Sequence, residues 1–179
     1  MRVIAGSAGG IQLKSIKGRN VRPTLDRVKE SLFSMIAYYI VDAVVLDLFA
    51  GFGNLGIEAL SRGAKEADFV ELKSKHCALI EENLAKCNLA KQANVFRSDF
   101  DKYLESTAKK YDLIFMDPPY KKQLADQAVE LILKNKLLNK NAILVIEKDA
   151  EEKIKEYQEL EIIKNRSYGN TLIVIYKLI

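Results

Sequence analysis

Leu46-Asp47-Leu48-Phe49-Ala50-Gly51-Phe52-Gly53-Asn54-Leu55-Gly56 decides the architecture of this chain. Val44 to Phe49 reads as a buried strand, and Leu55 to Ser61 as a helix stopped by Gly63. A GxGxxG lies between them. Gly51 and Gly53 permit a tight turn and close approach of a ligand to the backbone, and Gly56 lets the helix lie close on the strand. Eighteen residues after Gly53 comes Glu71, at the end of the next strand, where a carboxylate can accept from both hydroxyls of a ribose. By itself this fingerprint suits a nicotinamide dinucleotide as well.

Working outward, strands and helices alternate. Ala67–Glu71 is a second strand, followed by a helix from Ser74 to about Asn88. Asn94–Arg97 is a third, with a short helix near Asp99–Ser106; Tyr111–Asp117 is a fourth, with a helix over Lys122–Asn135. Ala142–Glu147 is a fifth, Glu151–Tyr157 reads as a short helix, and Leu160–Lys164 with Thr171–Tyr176 reads as a closing antiparallel hairpin. This alternation predicts an α/β fold with helices on both faces of a mostly parallel, seven-stranded sheet. A parallel sheet finished by a C-terminal antiparallel strand is the Rossmann-like pattern of S-adenosylmethionine-dependent methyltransferases. Before this domain, assigned to 24–179, residues 1–23 read as a small N-terminal β-hairpin (Arg2–Ala5 and Ile11–Leu13 about a glycine turn) and a loop. Thr24 is placed to cap a helix running to about Ile40.

The strand ends carry acids. Asp47 lies where it could meet a cationic amino acid group, and Asp99 could accept from an adenine amine beside Phe100, or simply cap its helix. With Glu71 and Asp117 these give four carboxylates at successive strand ends. Acidic lining favours a sulfonium that also carries an ammonium, and disfavours a pyrophosphate.

The fourth strand runs into Asp117-Pro118-Pro119-Tyr120. An exocyclic base amine is a poor nucleophile because its lone pair is delocalised into the ring. Asp117 and the Pro118 carbonyl could accept its two N–H bonds and free that lone pair, while Tyr120 stacks on the base. Asp-Pro-Pro is also an ordinary strand-ending turn, so the tetrapeptide takes its meaning from its context.

Composition narrows the rest. The chain has 179 residues, 49% hydrophobic, and no apolar run long enough for a membrane span, so a cytoplasmic monomer is expected. Cys77 and Cys87 form no CxxC pair and His76 is the one histidine, so packing cysteines, a solvated histidine and no metal site are expected. The net charge is +4, yet Arg2, Lys14, Lys17, Arg19 and Arg22 all precede the first acid, Asp26. That basic head suits phosphate contacts.

Arg2-Val3-Ile4-Ala5-Gly6, Arg22-Pro23-Thr24, Asp26-Arg27-Val28-Lys29-Glu30-Ser31-Leu32-Phe33, Leu46 to Gly51, Gly56-Ile57-Glu58-Ala59-Leu60-Ser61-Arg62-Gly63-Ala64 and Asp117 to Tyr120 resemble, in order and spacing, the bacterial RsmD-type methyltransferases. The resemblance implies transfer of a methyl group from S-adenosylmethionine to N2 of one guanine in 16S rRNA of the small ribosomal subunit. It implies Asp117, Pro118, Pro119 and Tyr120 as the catalytic motif, and Gly51, Gly53 and Glu71 as cofactor ligands. Arg22, Thr24 and Arg27 would lie near cofactor or base, with the head gripping RNA. Phe52, Asn54 and Tyr168 depart from the family pattern, where a small hydroxyl residue, alanine and lysine are common. The competing readings are an N6-adenine methyltransferase acting on DNA or RNA, a nicotinamide-dependent oxidoreductase, and a non-catalytic RNA-binding assembly factor.

Overall fold

The computed structural model describes residues 1–15, 23–118 and 124–179, with backbone only at 23–25. Among the described residues, five α-helices and seven strands follow in the order α1 (Pro23–Met35), β1 (Val44–Asp47), α2 (Asn54–Ser61), β2 (Glu66–Glu71), α3 (Ser74–Lys86), β3 (Ala93–Arg97), α4 (Phe100–Ser106), β4 (Tyr111–Met116), α5 (Leu124–Lys134), β5 (Leu138–Asp149), β6 (Leu160–Tyr168) and β7 (Thr171–Leu178). The strands form one sheet in the order β3-β2-β1-β4-β5-β7-β6. β1 to β5 are parallel, and β7 pairs antiparallel with both β5 and β6.

Alternate residues of the inner strands feed two cores. Val45, Phe69, Leu113, Phe115, Ile143, Val145, Ile173 and Ile175 pack beneath α1, α2 and α3. Leu46, Val70, Ile114, Met116, Leu144, Ile146, Val174 and Tyr176 pack beneath α4 and α5. Strands covered on both faces read as near-continuous apolar runs, which is why β1 and β4 stand out in the sequence. Each fully buried aliphatic side chain contributes about 1.5–3 kcal/mol.

Three expectations are corrected. Residues 1–15 do not form a two-stranded hairpin: a single antiparallel bridge joins Arg2 and Gln12. The amides that would extend a ladder go elsewhere, Ile4 and Ala5 to the carboxylate of Glu58 (2.7 and 3.1 Å) and Ser7 to the carbonyl of Ser61 (2.7 Å). The stretch from Glu151 to Tyr157 is not a helix. Its carbonyls are taken by side chains, Lys153 O by Lys148 Nζ (3.3 Å) and Lys155 O by Tyr176 Oη (2.7 Å). Thr24 lies inside α1 rather than at its cap, and α1 ends at Met35, with a separate 3₁₀ turn over Ala37–Tyr39.

Among the described residues no helix is long and apolar enough to cross a membrane.

Candidate active site at the carboxyl ends of four strands

The strand order reverses between β1 and β4, and parallel sheets bind ligands outside the carboxyl ends of their strands at such a point. Asp47 ends β1, Glu71 ends β2, Asp99 follows β3, and Asp117 follows β4. Because β3, β2, β1 and β4 are neighbours in that order, these acids lie along one edge of the sheet.

The β1–α2 loop forms the floor. Gly51 has φ +58° and Gly53 φ +83°, both in the left-handed region that other residues rarely enter. A Cβ on Gly51 would meet nothing within 4 Å, so the backbone there faces open space. A Cβ on Gly56 would lie 2.3 Å from Cε1 of Phe69 on β2, so glycine is required for α2 to seat on the sheet. The loop is held from below, with Ala50 N donating to Val70 O (3.1 Å) and Leu48 N to Phe115 O (3.0 Å).

Asp47 is only 3% exposed, and its Oδ2 accepts from Gly56 N (2.9 Å) in the first turn of α2. The negative carboxylate there suits the helix N-terminus. Burial nevertheless pushes its pKa up to about 7, the Gly56 amide opposes that rise, and the charges of Asp117 and Glu71 add to it. The folded protein therefore holds a proton on Asp47 more tightly than the unfolded chain, whose value is near 3.8. The associated stability is fully present below about pH 4 and is lost as pH rises toward 7. Urea unfolding at pH 5 and pH 8 should show a loss of a few kcal/mol in the wild type that Asp47→Asn largely abolishes. Equal pH slopes in the two proteins would refute the assignment.

Glu71 grips the loop from the side: Oε2 accepts from Gly51 N (3.0 Å) and Oε1 from Lys73 N (2.9 Å). Sequence alone suggested a solvated His76, but its Nδ1 lies 3.4 Å from Glu71 Oε1 and the ring is largely buried. Cys77 Sγ donates to Glu71 O (3.4 Å), and burial with the Glu71 charge pushes its thiol pKa up, away from reactive thiolate. Asp99 occupies the N-cap position of α4 but makes no side-chain capping bond. Phe100 beside it packs on Phe49 of the loop (centroids 5.2 Å).

Asp117 and Pro118 are half-buried just beyond β4. Pro119, Tyr120, Lys17, Arg19 and Arg22 lie outside the described residues, as does the side chain of Thr24. Arg2 and Lys14 are exposed but not isolated: Arg2 Nε lies 3.8 Å from Asp26 Oδ2, and Lys14 Nζ pairs with Glu82. Arg27 is exposed on α1.

Two connectors escaped the sequence reading. Glu58, fully buried on α2, pairs with Lys29 Nζ (3.0 Å) and Arg62 Nε (2.7 Å) besides the amides of Ile4 and Ala5. Lys29, which burial drives below its ordinary pKa, also donates to Arg2 O (2.6 Å) and Asn54 Oδ1 (2.8 Å). Asn83, buried on α3, accepts from Lys14 N (2.8 Å) and donates to Lys14 O (2.9 Å) and Phe52 O (3.0 Å). Apart from Arg62, four residues after Glu58, their partners lie far away in sequence, so no local pattern signals them.

A family model described as "Conserved hypothetical protein 95" matches residues 1–177. The chain belongs to this RsmD-like methyltransferase family. The RsmD-like relative named "Ribosomal RNA small subunit methyltransferase D" in Haemophilus influenzae is 36% identical over 182 residues, spanning 99% of this chain and 92% of that protein. Its Escherichia coli K12 namesake is 36% identical over 84% of this chain and 76% of its own length. The solved structure of yhhF from Escherichia coli superposes with a TM-score of 0.91 at 32% identity, covering 99% of this chain and 97% of that one. An RsmD-like chain thus carries the mostly parallel seven-stranded sheet, with Asp47, Glu71, Asp99 and Asp117 along one edge of it.

Proposed function

We propose that this protein transfers a methyl group from S-adenosylmethionine to the exocyclic N2 of a guanine in 16S rRNA of the small ribosomal subunit. The observation that carries the reading is the run of Asp99, Glu71, Asp47 and Asp117 along adjacent strand ends, in a chain whose relatives are named small-subunit rRNA methyltransferases.

The site fits such a cofactor. Gly51 leaves space over the loop, and Asp47, raised to about 7 by burial and further by the charges of Asp117 and Glu71, stands where a nearby cation would favour its carboxylate. Glu71 would receive the ribose hydroxyls through lone pairs that the Gly51 and Lys73 amides leave available. Asp99 would accept from the adenine amine. Asp47 would act through its charge on the methionine ammonium and by pinning α2, with Gly51 and Gly53 giving backbone access; Thr24 is proposed beside them.

Bound S-adenosylmethionine supplies an electrophilic methyl group on a positively charged sulfur. The protein's part is positioning and electrostatics. Asp117 and the Pro118 carbonyl accept the two N–H bonds of the target amine, which turns its lone pair toward the methyl carbon. Asp117 would stabilise the positive charge that reaches nitrogen as it takes the methyl group and the carbon–sulfur bond breaks. The extra proton then leaves to solvent. Pro119 and Tyr120 are proposed to complete the base pocket, with the base flipped out of its RNA context. Arg2, Lys14, Lys17, Arg19, Arg22 and Arg27 are proposed to contact RNA phosphates.

Replacing Glu71 with alanine should weaken S-adenosylmethionine binding roughly 10- to 100-fold, the scale of one or two hydrogen bonds to a charged group. Calorimetric titration would show it, and an unchanged Kd would remove Glu71 from the site.

The reading as a whole is tested with radiolabelled S-adenosylmethionine and small subunits lacking the modification, followed by digestion to nucleosides. Label in N2-methylguanosine is expected. Label in N6-methyladenosine would overturn the guanine assignment, and no label despite cofactor binding would leave a non-catalytic RNA binder.

A further inference from the structure

The β6–β7 hairpin brings charge to the same end of the sheet. Thr171 pairs with Asp149, so the turn from Tyr168 to Thr171 stands at the carboxyl end of β5, on the edge that carries Asp117. On β6, Lys164, Arg166 and Tyr168 pair across to Ile175, Ile173 and Thr171. Directly opposed residues share a face of the sheet. Ile173 and Ile175 lie in the core under α1, and Tyr168 packs against that core, so all three β6 side chains stand on the α1 side.

The hairpin is tied to that helix, since Tyr168 Oη and Ser31 Oγ on α1 are hydrogen-bonded. Arg166 places its guanidinium 5.5 Å from the centroid of the Tyr168 ring. Lys164 and Arg166 are exposed, and among the described residues neither has an ion pair. The acid of β6, Glu161, lies beyond the register shift between Ile162 and Lys164 and pairs across to Lys177. On α1, Arg27 is exposed one turn before Ser31, on the same side of the helix. By contrast, Arg2 and Lys14 in the head stand beside Asp26 and Glu82.

We propose that Lys164 and Arg166 form a second phosphate-contacting shelf for substrate RNA, continuing the track from Arg27 across the Tyr168–Ser31 hydrogen bond to the outer edge of the sheet. A polyanion is the occupant because Lys164 and Arg166 present two exposed cations on one face of β6, two residues and about 7 Å apart, with no acid of β6 between them. Tyr168 makes a fixed joint between hairpin and helix. The shelf rests on the RNA-methyltransferase reading above.

The test compares wild type, Lys164→Gln/Arg166→Gln and Lys91→Gln, an exposed lysine before β3 at the sheet's other edge. Methylation of unmodified small subunits is followed across salt concentrations, with cofactor affinity and Tm measured alongside. In the double variant KM should rise about tenfold near 0.1 M salt, and the slope of log affinity against log salt should shrink by about 1.5, as expected for two lost phosphate contacts. Cofactor affinity, Tm and the Lys91→Gln protein should match wild type. A double variant with wild-type KM and salt slope overturns the shelf while leaving the function intact. A wild type that transfers no label to the subunit RNA overturns the function itself, and the shelf with it.

Discussion

Asp117→Ala is expected to lower methyl transfer about 10²–10³-fold, the cost of removing one group aimed at developing charge in a water-poor site. Affinity for S-adenosylmethionine should stay close to wild type. Since Asp117 is one of the charges raising Asp47, the variant should also bring the Asp47 midpoint down from about 7. The two effects separate roles: a cofactor ligand would lose affinity, whereas a residue holding the target amine loses turnover. Single-turnover measurements with saturating cofactor decide the matter, and near-wild-type rates would end the assignment. Asp117→Asn should recover part of the loss, because an amide oxygen still accepts from the base amine but carries no charge.

The largest effect on stability is expected at Glu58. Its carboxylate serves two cations and two main-chain amides, all within 3.1 Å. Glu58→Ala leaves Lys29 charged and nearly excluded from solvent, with Arg2 O and Asn54 Oδ1 as its remaining hydrogen-bond acceptors among the described residues. Breaking a buried pair from one side costs about 3–5 kcal/mol, so Tm should fall by roughly 10 °C. Lys29→Met should cost clearly less, because Glu58 keeps Arg62 and both amides. The pH dependence adds a second check. With Glu58 gone, the Lys29 pKa falls further below its unfolded value, so the folded state binds fewer protons there than the unfolded chain. Stability of Glu58→Ala relative to wild type should therefore recover as pH rises above neutral. Thermal melts at pH 7 and pH 9 measure both effects, and a Tm within about 2 °C of wild type at pH 7 would show that the network contributes little.

What the sequence revealed followed from local pattern. β1, β2 and β4 are buried on both faces, so their apolar runs were visible, and the GxGxxG turn needed glycines that only its own geometry explains. The acids at Asp47, Glu71, Asp99 and Asp117 were legible because each sits where an apolar run stops. What was missed depended on distant partners. Ile4 and Ala5 alternate like a strand, yet Glu58 takes their amides. Lys153 and Lys155 lie in a helix-like stretch, yet Lys148 and Tyr176 take their carbonyls. His76 follows two lysines and reads as solvated, yet α3 turns it onto Glu71. Asn54 reads as a loop residue, yet its Oδ1 accepts from the Lys29 ammonium 25 residues earlier.

The placement of β7 has a consequence for how the chain acquires its shape. β7 comes later in the sequence than every other strand but sits inside the sheet, between β5 and β6. Until residues 171–178 arrive, β5 presents an open edge whose flanking side chains, Ile143 to Ile146, are destined for two cores, and β6 has no neighbour at all. Such an edge is sticky toward other unfinished chains. During synthesis the protein therefore passes through a window in which most of the sheet has been made but cannot be closed, and escape from that window comes with its final strand.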